Sequence, residues 1–188
     1  MDQFFHIRML MSIIVSLSIA HLLKGTAKLI EHPGRVKLYW VHLLLVIYTF
    51  LSLIDFWWWE IRLKMVATWN FESYLFIISY IILFYITCSL LFPDDMKDYA
   101  GFKEYYYSRK NWIFSFLGVS FLFDVGDTLL KGIDYYHSLG AEYLVRIIVY
   151  VILCGVAIKT KKERYHAAIV IFFIVYNLLW VMRKYQVL

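Results

Sequence analysis

Between Tyr74 and Phe92 the chain carries no charged residue. A helix needs about 20 mostly apolar residues to cross the hydrocarbon of a bilayer. In lipid, backbone N–H and C=O groups must be paired within the protein, so a lone run of this kind reads as a helix. Comparable apolar runs cover 4–23, 38–59, 112–130, 143–158 and 167–182. The sequence therefore predicts an all-α fold, a polytopic transmembrane helical bundle of about six spans. All of 1–188 is read as a single integral membrane domain.

Composition excludes the main alternative. Hydrophobic residues make up 62% of the 188 positions and aromatic residues 20%. Soluble domains are nearer half apolar, and a globule of this size leaves too much surface exposed to hide such an excess from water. The surplus must face lipid. The net charge of +5 could suggest nucleic acid, but the basic residues fall between the apolar runs, as topology requires, so no nucleic-acid partner is expected. Cys88 and Cys154 both lie inside apolar runs and read as small packing residues.

The first run could be a signal peptide, with Ser18-Ile19-Ala20 as a cleavage site. Its leading segment has only one firm positive charge, and Lys24 and Lys28 follow the run, so it reads as a retained span. Counting Lys and Arg in alternate loops gives twelve on one side and seven on the other, of the 19 in the chain. The twelve include Lys24, Arg35, Lys97, Lys110 and Lys162. That side should be cytoplasmic, which places both termini outside and the protein in the plasma (inner) membrane as a multi-pass chain. Trp57, Trp58 and Trp59 would anchor the outer end of the second span, with Tyr39 and Trp40 at its inner end. The Tyr-rich, charged segment Tyr99–Lys110 reads as an amphipathic loop or short helix on the inner face, a candidate surface for a cytoplasmic protein partner. Leu22-Leu23-Lys24-Gly25 and Leu129-Leu130-Lys131-Gly132 hint at an inverted three-plus-three repeat.

Polar residues at membrane depth are costly and frequently functional. In the fourth run, Ser120, Asp124, Asp127 and Lys131 recur at helical spacing on one face. At about 1.5 Å per residue, Asp124 lies roughly 18 Å beyond Trp112, in the outer half of the hydrocarbon. Asp55 and Arg146 should lie near the same depth. Asp55, Asp124, Asp127 and Arg146 are thus read as one cluster. It is either a structural ion-pair set or a site for a cation, proton or substrate. Asn177, alone in the middle of the last run, either hydrogen-bonds across the bundle or lines a path.

His21, His42 and His166 all fall near the cytoplasmic ends of their runs. They either bond locally at helix ends or form a metal site or proton relay. Ser12, Ser16 and Ala20 form a small-residue face suited to helix packing. No nucleotide loop, zinc-type cysteine pair, Ser elbow or His-Glu-x-x-His helix occurs, so no motif names a cofactor or a reaction.

The segments His21-Leu22-Leu23-x-Gly25, Arg35 ahead of Trp40-Val41-His42, and Phe56-Trp57-Trp58-Trp59 resemble a group of uncharacterised bacterial inner-membrane proteins of unknown function. Leu90-Leu91-Phe92-Pro93, Tyr106-Tyr107-x-x-Arg109-x-x-Trp112 and Glu163-Arg164-Tyr165-His166 extend the likeness over most of the chain. The resemblance implies a bacterial multi-span protein and no catalytic assignment. It draws attention to His21, Arg35, His42, Arg109 and His166.

Three function classes follow. The first is a small transporter or channel for a cation, proton or small solute, built on Asp124, Asp127 and Arg146. The second is a non-enzymatic sensor, effector or complex subunit. The third, which has least support, is a haem- or metal-binding redox protein using the three histidines. A bundle this small suits a homo-oligomer, and nothing in the sequence identifies an enzyme.

Overall fold

The computed structural model describes residues 3–66 and 68–184. Seven α-helices follow in order: α1 (Gln3–Glu31), α2 (Trp40–Trp59), α3 (Phe71–Leu91), α4 (Phe102–Leu130), α5 (Ile133–Ser138), α6 (Ala141–Lys159) and α7 (Glu163–Lys184). A 3-10 turn, Glu60–Met65, extends α2. All but α5 are long and apolar enough to cross a membrane, which makes the chain a multi-pass membrane protein. The α1 start, the α2 end, the α4 end and the start of α6 share one face of the bundle, called here the N-terminal face.

Helix ends differ from the sequence expectation where charge was taken as a stop. α1 runs through Lys24 and Lys28 to Glu31, and α4 begins at Phe102 rather than near Trp112. Charged side chains interrupt hydropathy but not helical backbone, and outside the hydrocarbon they cost nothing. Most of Tyr99–Lys110 is therefore the first turns of a spanning helix, not a separate surface loop. At the other end, Gly132 (φ 126°) and Gly140 (φ 75°) adopt backbone angles that side chains with a Cβ avoid. They bracket α5 and turn the chain from α4 into α6.

α3 lies between α1 and α4, α4 packs on α6, and α2 and α7 pair across them. The proposed three-plus-three repeat is not present: the first span packs on the third, whereas the fourth packs on the fifth. Leu22–Gly25 also sits inside α1, while Leu129–Leu130 ends α4. The two tetrapeptides occupy different structural positions.

Lipid tails are as apolar as leucine, so helices in a bilayer associate through close packing and polar contacts. The α1 residues that pack inward are Ile7, Met11, Val15, Ser18 and Leu22, spaced three or four apart. The small-residue face expected at Ser16 and Ala20 points outward instead. Close approach is achieved at Gly25, where any Cβ would collide with the Phe92 ring of the segment ending α3. Outward-facing Val145, Ile148 and Ile152 on α6, and Val175 and Leu179 on α7, supply the lipid-facing surface. Cys88 and Cys154 are free and buried.

Candidate functional site

At the N-terminal face, α2, α3, α4, α6 and α7, with Tyr135 of α5, line a cavity of about 90 Å³. Four carboxylates line it (Asp55, Glu60, Asp124 and Asp127) against two cations, Lys131 and Arg146. Asn177 lines it as well. The structure thus brings Asp55, Asp124, Asp127, Arg146 and Asn177 together, and adds Glu60, which the sequence reading missed. Glu60 sits just beyond the apolar run of α2, where an acidic residue looks like ordinary loop. The 3-10 turn folds it back under the bundle, leaving it 4% exposed.

Lys131 is the electrostatic anchor. Its Nζ donates to Asp127 Oδ2 at 2.5 Å and to Glu60 Oε1 at 2.8 Å, and all three side chains are almost wholly buried. Burial disfavours its charge, but the Asp127 and Glu60 carboxylates more than offset this, so the ammonium holds its proton above the ordinary lysine range. The pair Asp127–Lys131 uses the i,i+4 geometry of a helix. Glu60, brought from a different element, makes it a triad with one more carboxylate than cation.

A second set surrounds Asp124. Tyr143 donates its hydroxyl to Asp124 Oδ2 at 3.0 Å. Because that proton is committed, Thr128 must donate to the Tyr143 oxygen, 2.9 Å away. Arg146 Nη2 reaches Asp124 Oδ2 at 3.4 Å, and Tyr80 contacts Oδ1 at 3.5 Å. The Arg146 guanidinium also lies over the Trp180 ring, 4.3 Å from its centre. Asp55 accepts from Trp59 Nε1 at 2.8 Å and forms no ion pair among the described residues.

Buried polar atoms are normally hydrogen-bonded. Here Glu60 Oε2, Asp127 Oδ1, Arg146 Nε, the Tyr150 hydroxyl and Asn177 Oδ1 have no hydrogen-bond partner among the described residues, and all five belong to residues lining this cavity. Asn177 accordingly does not bridge helices through that oxygen; it faces the cavity. Glu60 also borders a second cavity of about 150 Å³, lined by Arg8, Met11, Trp57 and Ile61. The Glu60 side chain is therefore a wall common to both spaces.

The three histidines are not brought together as a metal site. His21 Nε2 donates to the Phe92 carbonyl at 3.0 Å. His166 Nε2 donates to the Thr160 carbonyl at 3.1 Å, so its Nδ1 accepts from the Tyr106 hydroxyl at 2.8 Å. His42 is completely buried and packs against Phe92, Phe102 and Tyr106, with neither ring nitrogen in a hydrogen bond. Two of the three thus bond to groups on other elements rather than only locally, and the third is enclosed by aromatic rings. Among the described residues, no three His, Cys, Asp or Glu side chains converge to hold a metal ion.

On the same face as the histidines, Lys110 is buried and donates to the Ala157 and Ile158 carbonyls at the end of α6. It satisfies acceptors that a helix C-terminus leaves open. Tyr105 and Tyr106 are likewise committed, to the Leu90 carbonyl and to His166.

Comparison with protein families, curated proteins and solved structures gives no match.

Proposed function

We propose that this protein is a small membrane transporter or channel whose charged cavity at the N-terminal face binds a positively charged species, a proton or a small cation. One observation carries the reading: four carboxylates against two cations line a single cavity, and Glu60 Oε2 and Asp127 Oδ1 remain unpartnered there. A buried excess of negative charge is strongly unfavourable unless a cation joins it or a carboxylate takes up a proton. A purely structural network would close on itself, as a buried ion pair needs its remaining lone pairs satisfied. The second cavity against Glu60 supplies adjoining space at the same end of the bundle.

The membrane is a bacterial inner membrane in this proposal, from the resemblance noted above, with the N-terminal face outside, from the Lys and Arg distribution. The site then opens toward the exterior half of the bilayer.

The test is flux in proteoliposomes. Under an imposed membrane potential, an entrapped pH indicator or a cation-selective electrode should report faster cation or proton entry than in protein-free vesicles. Asp124→Asn keeps the shape and removes the charge, and should reduce the rate about tenfold or more, the scale of one lost charge interaction. Flux that survives Asp124→Asn unchanged would count against the proposal.

A further inference from the structure

The unpartnered groups differ in kind. Glu60 Oε2 and Asp127 Oδ1 can only accept hydrogen bonds while ionised, and these side chains are 4% and 2% exposed. The Asn177 amide, 7% exposed, can present either pole. Arg146 Nε is the one unpartnered group that can only donate among the described cavity residues. A complementary ligand therefore brings hydrogen-bond donors and positive charge together.

A bare metal ion brings charge but demands several converging oxygen ligands, typically about six. No three acidic, His or Cys side chains converge among the described residues. The remaining wall is rich in aromatic rings, including Tyr48, Phe56, Tyr80, Tyr135 and Trp180. Ring faces attract organic cations and accommodate their C–H groups. Arg146 over Trp180 shows that this wall already hosts one. Size narrows the choice further. A cavity of about 150 Å³ accommodates benzene, so the 90 Å³ here suits something smaller.

We infer that the cavity is a binding site for a small primary ammonium compound, its N–H groups directed at Glu60 and Asp127 and its carbon atoms against the aromatic wall. Asp55, which forms no ion pair among the described residues, supplies a further acceptor beside them. This rests on the reading of the cavity as a cation site and names the chemical class of its ligand.

The experiment uses the full chain in lipid nanodiscs and isothermal titration with ethylammonium chloride, tetramethylammonium chloride and sodium chloride. Ethylammonium should bind at least about tenfold more tightly than tetramethylammonium, which has charge but no N–H donor; tenfold corresponds to about 1.4 kcal/mol. Sodium should not compete. Asp55→Asn keeps the acceptor for Trp59 and disturbs no ion pair, so it reports on binding without loss of fold; it should weaken ethylammonium binding by a similar factor. Equal affinity for the two organic cations, or binding unchanged in Asp55→Asn, would overturn the inference. Proton or cation flux in proteoliposomes made from the same protein, without ethylammonium binding in nanodiscs, would sink the ligand assignment and leave the transport reading standing. Loss of both flux and binding would remove both.

Discussion

Lys131 concentrates the electrostatics of the molecule in one side chain. It holds two carboxylates that would otherwise repel each other inside the bundle. Removing one member of a buried ion network costs about 3–5 kcal/mol, because the remaining charges lose their compensation. Lys131→Met should therefore lower the thermal unfolding midpoint sharply in detergent. By contrast, Arg183→Ala at the exposed pair with Glu142 should change stability by less than about 1 kcal/mol, as surface pairs do. Equal effects of the two substitutions would show that the triad is not the anchor described. At the opposite face, the Tyr106 hydroxyl is the proton donor to His166 Nδ1 among the described residues. Tyr106→Phe leaves that buried nitrogen unsatisfied and should cost about 1–3 kcal/mol, measurable by the same thermal scan.

At the scale of elements, the polar stripe of α4 was legible from spacing alone. Ser120, Asp124, Asp127 and Lys131 stand one helical turn apart, and a helix has no choice but to present them together. Asp55 and Arg146 joined them because run lengths fix depth. Glu60 was not legible. Its position depends on a 3-10 turn that only packing determines, and an acid after three tryptophans looks like a membrane boundary. The packing face of α1 was misread for a related reason. Small residues mark a close approach only if the helix is turned that way, and the Phe92 ring against Gly25 turns it elsewhere. Gly25→Ala forces a Cβ into that ring and should destabilise the protein by about 1–3 kcal/mol, as overpacking does. Ser16→Ala, on the outward face, should leave the unfolding midpoint within experimental error. The reverse order would contradict the packing of α1 on α3.

For the whole molecule, six candidate spans bring the start of α1 and the end of α7 to one face, and the charged cavity lies toward that face. At the other face, His21 and His166 bond to groups on other elements, and His42 is enclosed by aromatic rings with both ring nitrogens unpartnered among the described residues. Sequence could find the two groups of residues but not which of them share a cavity. That only the acidic group converges on one cavity is a property of assembled helices. Asp55 isolates the central claim better than any other residue. Among the described residues it lines the cavity, forms no ion pair and accepts a single bond, from Trp59, that asparagine can also accept. Flux lost on its neutralisation cannot be blamed on a broken salt bridge. The decisive measurement is potential-driven cation or proton flux in proteoliposomes for the wild type and Asp55→Asn, with unfolding midpoints recorded in parallel. The account predicts that flux above protein-free vesicles falls at least about tenfold while the midpoint stays unchanged. Wild-type flux no faster than protein-free vesicles, or equal flux in the variant, would contradict it.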